Sequence, residues 1–315
     1  MPARRLHFVV GKGGVGKTTV AAALALALAR RGRRTLAVEM EPGRLAAVLG
    51  AEAGDRLHVL RVDGRAALEE YLNLVIPVKR LLATVFASKV YQYFVAAAPG
   101  LKELMTVGKI WYEATRREGG RLAWDAIVVD APATGHSLQY LRMPQAARET
   151  FGAGLVQREA TRITELLRDR QTTAVHLVTL AEEMPVSETL ETRAQLTDEL
   201  GLSLGWVVVN RLHRRRFAPA TLERLRAAAR GAGAPERALL QSVVERAAEE
   251  SGWSNINAAN LARLRAGIGD APLVEIPFLF VEEFGPAELE QVARCLEAGM
   301  AGRAETAARR RSRSS

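Results

Sequence analysis

Residues 11–18 restrict the fold of this chain more than any other segment, because they read GKGGVGKT between two contrasting patterns. A short apolar run at residues 6–10 comes before them, and a segment rich in Ala and Leu follows. A glycine-rich loop between a strand and a helix turns successive backbone N–H groups into one concavity, which binds phosphate together with the helix N-terminus. The frame G-x-x-x-x-G-K-T in this context therefore predicts a Walker A loop in an α/β fold.

Individual side chains of this loop have predicted tasks at a bound nucleotide. Lys17 is expected to contact the β- and γ-phosphates, and the Thr18 hydroxyl is expected to bind Mg²⁺. ATP and Mg²⁺ are therefore the expected ligands. The predicted nucleotide-binding residues of this segment are Gly11, Gly13, Gly14, Val15, Gly16, Lys17, Thr18 and Thr19.

Lys12, directly after the first glycine, narrows the class of protein further. A lysine at this position is typical of the deviant Walker A group of P-loop ATPases, in which it reaches across a dimer interface to the partner's nucleotide. A cation supplied in trans would act where charge builds up on the transferring phosphoryl group, as an arginine finger does. Lys12 and Lys17 are thus predicted catalytic residues, and a solvated loop lysine is the alternative interpretation of Lys12.

Short apolar runs alternate with helical patterns along the chain. Several of the runs are nearly continuous, as expected for strands that helices cover on both faces. This alternation predicts an α/β fold with a doubly wound, mostly parallel sheet. The predicted strands are 6–10, 35–38, 57–62, 126–129, 174–179, 204–209 and 273–276.

Between residues 64 and 120 the short strand-like apolar runs are replaced by helical patterns. A second helical stretch spans about 145–170. We interpret both as a helical insert in one domain that covers residues 1–302, and a third stretch at 219–265 as further helical cover. The segment between Tyr71 and Val95 is apolar on more than one face. It fits either a groove for a partner helix or ordinary helical core with a subunit contact.

The net charge of +9 is partly local, because arginines are concentrated in residues 303–315, which are predicted to be a disordered Arg/Ser tail. No RNA-recognition or zinc-finger pattern accompanies the charge, so nucleic acid is not an expected partner. The chain has one cysteine, Cys295, which excludes an internal disulfide and fits a reducing compartment. No signal peptide and no apolar run long enough to span a bilayer is present, so a cytoplasmic location is expected.

Two carboxylates, Glu39 and Glu41, end the second predicted strand. They stand two residues apart and therefore share one face of an extended chain. In deviant Walker A ATPases an acidic residue at this place orients the attacking water. Glu41 is the candidate for that catalytic task and Glu39 for a supporting one, whereas a surface pair at a strand end is the alternative.

Asp130 closes the apolar run at residues 126–129. An aspartate at the carboxyl end of a central strand can hold Mg²⁺, commonly through a water molecule, and it lies where open α/β sheets bind ligands. Thr18 and Asp130 are therefore the predicted metal-binding pair. The segment that begins at Asp130 continues as DAPATGHSL through residue 138.

This segment resembles switch II of the ArsA family, which contains the arsenite-pump ATPases and the ATPase of the GET pathway that targets tail-anchored proteins. The resemblance continues at residues 99–104 (PGLKEL) and at residues 179–193. It implies that the backbone at Gly135 approaches the γ-phosphate closely. It also implies that His136 relays the nucleotide state to neighbouring helices, although a purely structural histidine is equally open.

Two further segments of the resemblance bear on the nucleotide base. Asn210 follows the apolar run at 207–209, and in the family the asparagine at this place reads the adenine edge, which an amide can do as donor and acceptor. Pro277 and Phe278 resemble the C-terminal loop that packs over the base. All three are therefore expected nucleotide-binding residues.

The resemblance as a whole implies a Mg²⁺-dependent ATPase that works as a homodimer, or as a heterodimer with a paralogous subunit. It would couple the nucleotide state to a protein client or a membrane-protein partner through its helical insert. With one cysteine, the chain lacks the family's zinc clamp and metalloid cluster, so neither site is expected. Two alternatives are a ParA/MinD-type positioning ATPase and a weakly hydrolysing regulatory subunit, which Glu41 in place of the family's aspartate leaves open.

Overall fold

The computed structural model describes residues 4–40, 43–50, 54–75, 88 and 100–313, and the side chains of 72–75 and 301–313 are outside this description. Within these residues the chain forms nine strands. They are β1 (Leu6–Gly11), β2 (Thr35–Glu39), β3 (Leu57–Arg61), β4 (Arg117–Glu118), β5 (Arg121–Leu122), β6 (Ala126–Ala133), β7 (Thr173–Leu180), β8 (Leu204–Leu212) and β9 (Leu273–Pro277).

Seven of these strands make one sheet in the order β3-β2-β6-β1-β7-β8-β9. Each neighbouring pair is parallel. The predicted α/β class with a doubly wound parallel sheet is confirmed, and each of the seven predicted strands is present. The order reverses beside β1, so the loops after β1 and β6 lie at the point where open α/β sheets bind ligands.

Both faces of the central strands are buried, as the continuous apolar runs predict. Side chains alternate along β1, so Phe8 and Val10 pack in one core cluster while Val9 packs in the other. All six residues of β1 are buried. Hydrophobic residues on both faces of a strand require cover on both sides, which fixes β1 in the middle of the fold.

Ten helices and one π-helical segment flank the sheet in the described part of the chain. They are α1 (Lys17–Arg30), α2 (Leu45–Leu49), α3 (Gly64–Val75), α4 (Leu101–Thr115), α5 (Thr134–Thr150), α6 (Leu155–Arg168), α7 (Glu183–Ala194, continued by the π-helical Gln195–Glu199), α8 (Pro219–Gly231), α9 (Ala234–Gly267) and α10 (Pro286–Arg313). Helices α1 and α10 pack together. Helices α3 to α6 pack on one another. The described part of the predicted insert includes α3, α4, α6 and residues 145–150 of α5, whereas α5 itself begins at Thr134, before the predicted stretch.

Three boundaries differ from the sequence prediction, and glycines explain two of them. The insert was predicted to be helical to residue 120, but β4 and β5 form an antiparallel hairpin around Gly119 and Gly120, which have φ values of 57° and 80°. Two successive residues with positive φ make the tight turn that joins hairpin strands. The helical stretch predicted for 145–170 is interrupted, because α5 ends at Thr150 and Gly154 has φ of 104°.

The third difference concerns the C-terminus. The structure continues α10 to Arg313, whereas residues 303–315 were predicted to be disordered. The earlier part of α10 is anchored by Leu289, Val292 and Leu296, which are at most 2% exposed. Ala, Glu and Arg are strong helix formers, so their propensity extends the anchored helix although no apolar face continues.

Two features are absent from the described residues. None of their helices combines the length and the hydropathy that crossing a bilayer requires. They also contain no group of three or more His, Cys, Asp or Glu side chains arranged to hold a metal ion. The expected lack of zinc and metalloid sites, and the expected cytoplasmic location, stay predictions.

Candidate nucleotide site

The loop between β1 and α1 adopts a backbone that requires glycine at three positions, one of which is Gly14 with φ of 85°. Gly16, the residue before α1, has φ of 92°, and a Cβ there would overlap the Asn210 amide nitrogen. A Cβ at Gly11 would overlap the carbonyl oxygen of Val178 in β7. By contrast, a Cβ at Gly13 or Gly14 would meet no atom within 4 Å. The loop is thus tightly packed toward the sheet and open on its other side, as a phosphate cradle requires.

Lys17 begins α1 and turns back over this loop. Its Nζ donates a hydrogen bond of 3.0 Å to the backbone carbonyl of Lys12. Thr18 and Thr19 follow in the first turn of the helix, and both are partly buried. The ammonium group therefore lies across the open side of the loop, where the predicted β- and γ-phosphates would meet it.

Thr18 and Asp130, predicted as the metal-binding pair, lie in direct contact. Thr18 Oγ1 donates a hydrogen bond of 2.7 Å to Asp130 Oδ2. Burial raises the pKa of Asp130 to about 6, although the Thr18 bond and the Lys17 charge lower it. Asp130 Oδ1 is buried and has no hydrogen-bond partner among the described residues. A buried carboxylate with one unsatisfied oxygen beside a hydroxyl fits Mg²⁺, either directly or through a water molecule.

Glu39 lies beside Asp130, because the two residues are opposite each other on the neighbouring strands β2 and β6. Its Oε1 accepts a hydrogen bond of 2.9 Å from the backbone N–H of Leu45, the first residue of α2. Glu39 is only 7% exposed. It therefore ties the end of β2 to the start of α2, and its supporting role in catalysis stays a prediction. Glu41, the predicted water-orienting residue, lies outside the described residues.

The N-terminus of α5 borders the same edge of the sheet. Ala133, the last residue of β6, is opposite Gly11 of β1. Gly135 follows in the first turn of α5, where it is exposed and a Cβ would meet no atom within 4 Å. A helix N-terminus favours anions, so this position suits the predicted approach to a γ-phosphate. His136 is exposed beside it, and its relay task stays a prediction.

Asn210 contacts the loop directly from the end of β8. Its Nδ2 donates a hydrogen bond of 2.9 Å to the carbonyl of Val15, and its Oδ1 accepts one of 3.0 Å from the N–H of Arg211. Arg211 has φ of 52°, a conformation that residues other than glycine rarely adopt and that clusters at functional sites. The observed amide thus braces the phosphate loop, and its reading of adenine stays a prediction.

Pro277 ends β9, and Phe278 follows it near the end of β8. The N–H of Phe278 donates a hydrogen bond of 3.0 Å to the carbonyl of Leu212. The Phe278 ring stacks on His213 with 4.5 Å between centroids, and His213 Nδ1 lies 2.8 Å from Glu250 Oε2. An ordered aromatic wall therefore stands at this edge of the sheet. Its packing against a base stays a prediction.

Comparison with protein families agrees with this geometry. Residues 4–159 match the profile of the ArsA ATPase family, described as anion-transporting ATPase. The matched segment contains the phosphate loop, Thr18 and Asp130. The chain belongs to the ArsA ATPase family.

Several curated relatives are similar to this ArsA-family chain. ATPase BagA of Mycobacterium tuberculosis is 38% identical over 229 residues, which cover 66% of this chain and 65% of that protein. Protein Rv2184c of the same organism is 26% identical and covers 90% of this chain and 73% of its own length. The arsenical pump-driving ATPase of Escherichia coli is 29% identical and covers 66% of this chain and 35% of its own length. The chain thus spans about two-thirds or less of several relatives that it matches.

One contact of this ArsA-family site was not predicted. Lys12 Nζ lies 2.5 Å from Glu188 Oε1 in α7. The two residues are 176 positions apart in the sequence, so no local pattern pairs them. They meet because β1 and β7 are neighbouring parallel strands whose carboxyl ends share one edge. The lysine expected to act in trans therefore forms an ion pair within its own chain.

Proposed function

We propose that this chain binds and hydrolyses ATP with Mg²⁺ and works as a dimeric switch. The observation that carries the proposal is the bond between Thr18 and Asp130 beside the unpartnered Asp130 Oδ1. A hydroxyl and a buried carboxylate in β6, the strand next to β1, together with a glycine loop and a lysine, match the needs of a Mg²⁺-nucleotide. The ATPase names of relatives such as BagA agree with this activity.

The proposed mechanism assigns each group to one task. The loop N–H groups and Lys17 bind the phosphates and hold the γ-phosphoryl group in place. Thr18 and Asp130 would hold Mg²⁺, whose charge would offset that of the phosphates. Glu41 would orient the attacking water, while Glu39 ties β2 to α2 through its bond to Leu45.

Lys12 completes the proposed site in a dimer. Its ammonium would stabilise the charge that develops on the partner's phosphoryl group. A homodimer and a heterodimer with a paralogous ArsA-family subunit both meet this requirement. Dimer formation with ATP and release after hydrolysis would give two states with different shapes.

The helical insert is proposed to bind a partner differently in these two states. Helices α3 to α6 surround an apolar cavity of about 630 Å³. Three of its lining residues, Tyr112, Phe151 and Val156, are 40–49% exposed. Exposed apolar side chains around a cavity favour binding of an apolar partner segment. We therefore propose that a protein client or a membrane-protein partner binds here in a nucleotide-dependent manner.

Nucleotide titration and phosphate release test the activity directly. We expect Lys17→Ala to abolish ATP binding, because it removes the cation at the phosphates. Lys102→Ala changes an exposed lysine of α4 and is the matched control, expected to behave as the wild type. Near-normal ATP affinity of Lys17→Ala would contradict the nucleotide site. ATP binding without any hydrolysis by the wild type would instead support the regulatory-subunit alternative.

A further inference from the structure

The ion pair between Lys12 and Glu188 joins two elements that flank the candidate site. Lys12 follows β1, and Glu188 lies in α7 after β7. Gly11 and Val178 are opposite each other at the ends of these strands. The carboxylate is therefore placed at the phosphate loop by the parallel topology.

We propose that Glu188 is a positioning residue that keeps Lys12 in its own subunit until a second subunit binds. This inference rests on the proposed dimeric function, in which Lys12 acts on the partner's nucleotide. One ammonium group cannot lie at Glu188 and at a nucleotide in another subunit at the same time. The ion pair and the composite site therefore exclude each other.

The exposure of the pair sets the size of this effect. The side chains of Lys12 and Glu188 are 41% and 33% exposed. Ion pairs with this much solvent contact contribute about 0–1 kcal/mol, which corresponds to at most about a fivefold change in an equilibrium. Such a bias weakens dimer formation without preventing it.

Nucleotide binding would also weaken a second contact of Lys12, the hydrogen bond between its backbone carbonyl and Lys17. The Lys12 carbonyl accepts the hydrogen bond from Lys17, so its backbone is held by Lys17 while its side chain is held by Glu188. Phosphates that bind the Lys17 ammonium compete with this carbonyl. The neighbouring Gly13 and Gly14 have open space beside them, which leaves room for the loop to adjust. ATP would thus release the backbone, and the partner subunit would then draw the side chain from Glu188.

The dissociation constant of the dimer tests the role of Glu188. It is measured by sedimentation with Mg²⁺ and a non-hydrolysable ATP analogue, for the wild type, Glu188→Gln and Glu191→Gln. Glu191 is exposed on the same helix, so its substitution changes the same charge without touching Lys12. Two such pairs are lost in a homodimer, one in each subunit, so we expect Glu188→Gln to tighten the dimer about four- to twenty-fivefold, and Glu191→Gln to leave it unchanged. Glu188→Asp, which keeps the charge, should stay near the wild-type value.

A Lys12→Ala background shows whether the effect acts through Lys12. The gain from Glu188→Gln should vanish there, because no ammonium remains to be held. A gain that persists, or a Kd that is unchanged or weaker in Glu188→Gln alone, would overturn the role of Glu188 while leaving the proposed function intact. If the wild-type chain does not dimerise with the analogue, the dimeric function fails first, and the role of Glu188 fails with it.

Discussion

Thr18 Oγ1 and Asp130 Oδ2 are joined by a hydrogen bond of 2.7 Å that ties the first turn of α1 to the end of β6. Through it a hydroxyl of the phosphate loop and a buried carboxylate of the central sheet become one site. The second carboxylate oxygen has no partner among the described residues. This arrangement stores a buried negative charge that Mg²⁺ would offset.

Asp130→Asn is therefore expected to stabilise the protein without nucleotide and metal, while it abolishes Mg²⁺-dependent turnover. Burial raises the pKa of Asp130 to about 6, so the ionised carboxylate destabilises the folded state above that pH. The penalty is fully present above pH 6 and is lost as the pH falls toward the unfolded value near 4. Thermal unfolding in EDTA should show a gain on the order of 1–3 kcal/mol at pH 7.5 that shrinks toward pH 4. If Asp130→Asn is less stable than the wild type at pH 7.5, the ionised Asp130 carboxylate does not destabilise the folded protein, and this prediction is wrong.

Asn210→Ala is expected to weaken ATP and GTP binding by a similar factor. The side-chain nitrogen and oxygen of Asn210 both form hydrogen bonds with other protein groups. The variant removes the donor to the Val15 carbonyl. Loss of one such bond costs about 0.5–1.5 kcal/mol, or roughly three- to tenfold in affinity. Titration with both nucleotides measures this. A selective loss of ATP binding would show instead that the amide reads the adenine edge.

The buried histidines His7 in β1 and His176 in β7 predict how the free energy of unfolding depends on pH. The backbone N–H of Trp206 donates to His176 Nδ1, so His176 Nε2 carries the proton that bonds His7 Nδ1 at 3.0 Å. His7 Nε2 in turn donates to the Arg4 carbonyl. Both rings are neutral in this chain of bonds. Burial, followed by the Arg33 charge, lowers the pKa of His7 to about 3.

Stability from this pair is complete above pH 6.5, where the unfolded histidine is neutral, and is lost progressively as the pH falls toward 3. We expect the free energy of unfolding of the wild type to decline over this range more steeply than that of His7→Gln. His58 is exposed on β3, and His58→Gln is the control that should follow the wild type. Parallel pH profiles for the wild type and His7→Gln would rule out the neutral pair.

Much of this fold follows from local patterns in the sequence. The inner strands of the main sheet, β1, β2, β6, β7 and β8, are predictable because parallel strands buried on both faces have nearly continuous apolar sequences. The phosphate loop is predictable because Gly11 and Gly16 are required by close contacts and by a positive φ. Asp130 is predictable because it closes such a run at the ligand-binding edge.

Other features depend on contacts that no local pattern encodes. Glu188 meets Lys12 only through the pairing of β1 with β7. Glu39 at the end of β2 accepts a hydrogen bond from Leu45 at the start of α2, a contact that the spacing of the carboxylates does not predict. The helix at 303–313 was missed because the prediction relied on apolar periodicity, whereas helix propensity and an anchored start decide that segment.

Mixing two inactive variants tests the central claim of a composite site most directly. Lys12→Ala should bind ATP almost normally yet hydrolyse it on the order of 10³–10⁵ times more slowly, as expected for loss of a trans cation. Lys17→Ala should not bind ATP but still carries Lys12. A mixed dimer holds one complete site, so adding excess Lys17→Ala to Lys12→Ala should restore part of the turnover. No recovery at any mixing ratio would contradict a lysine that acts across the dimer.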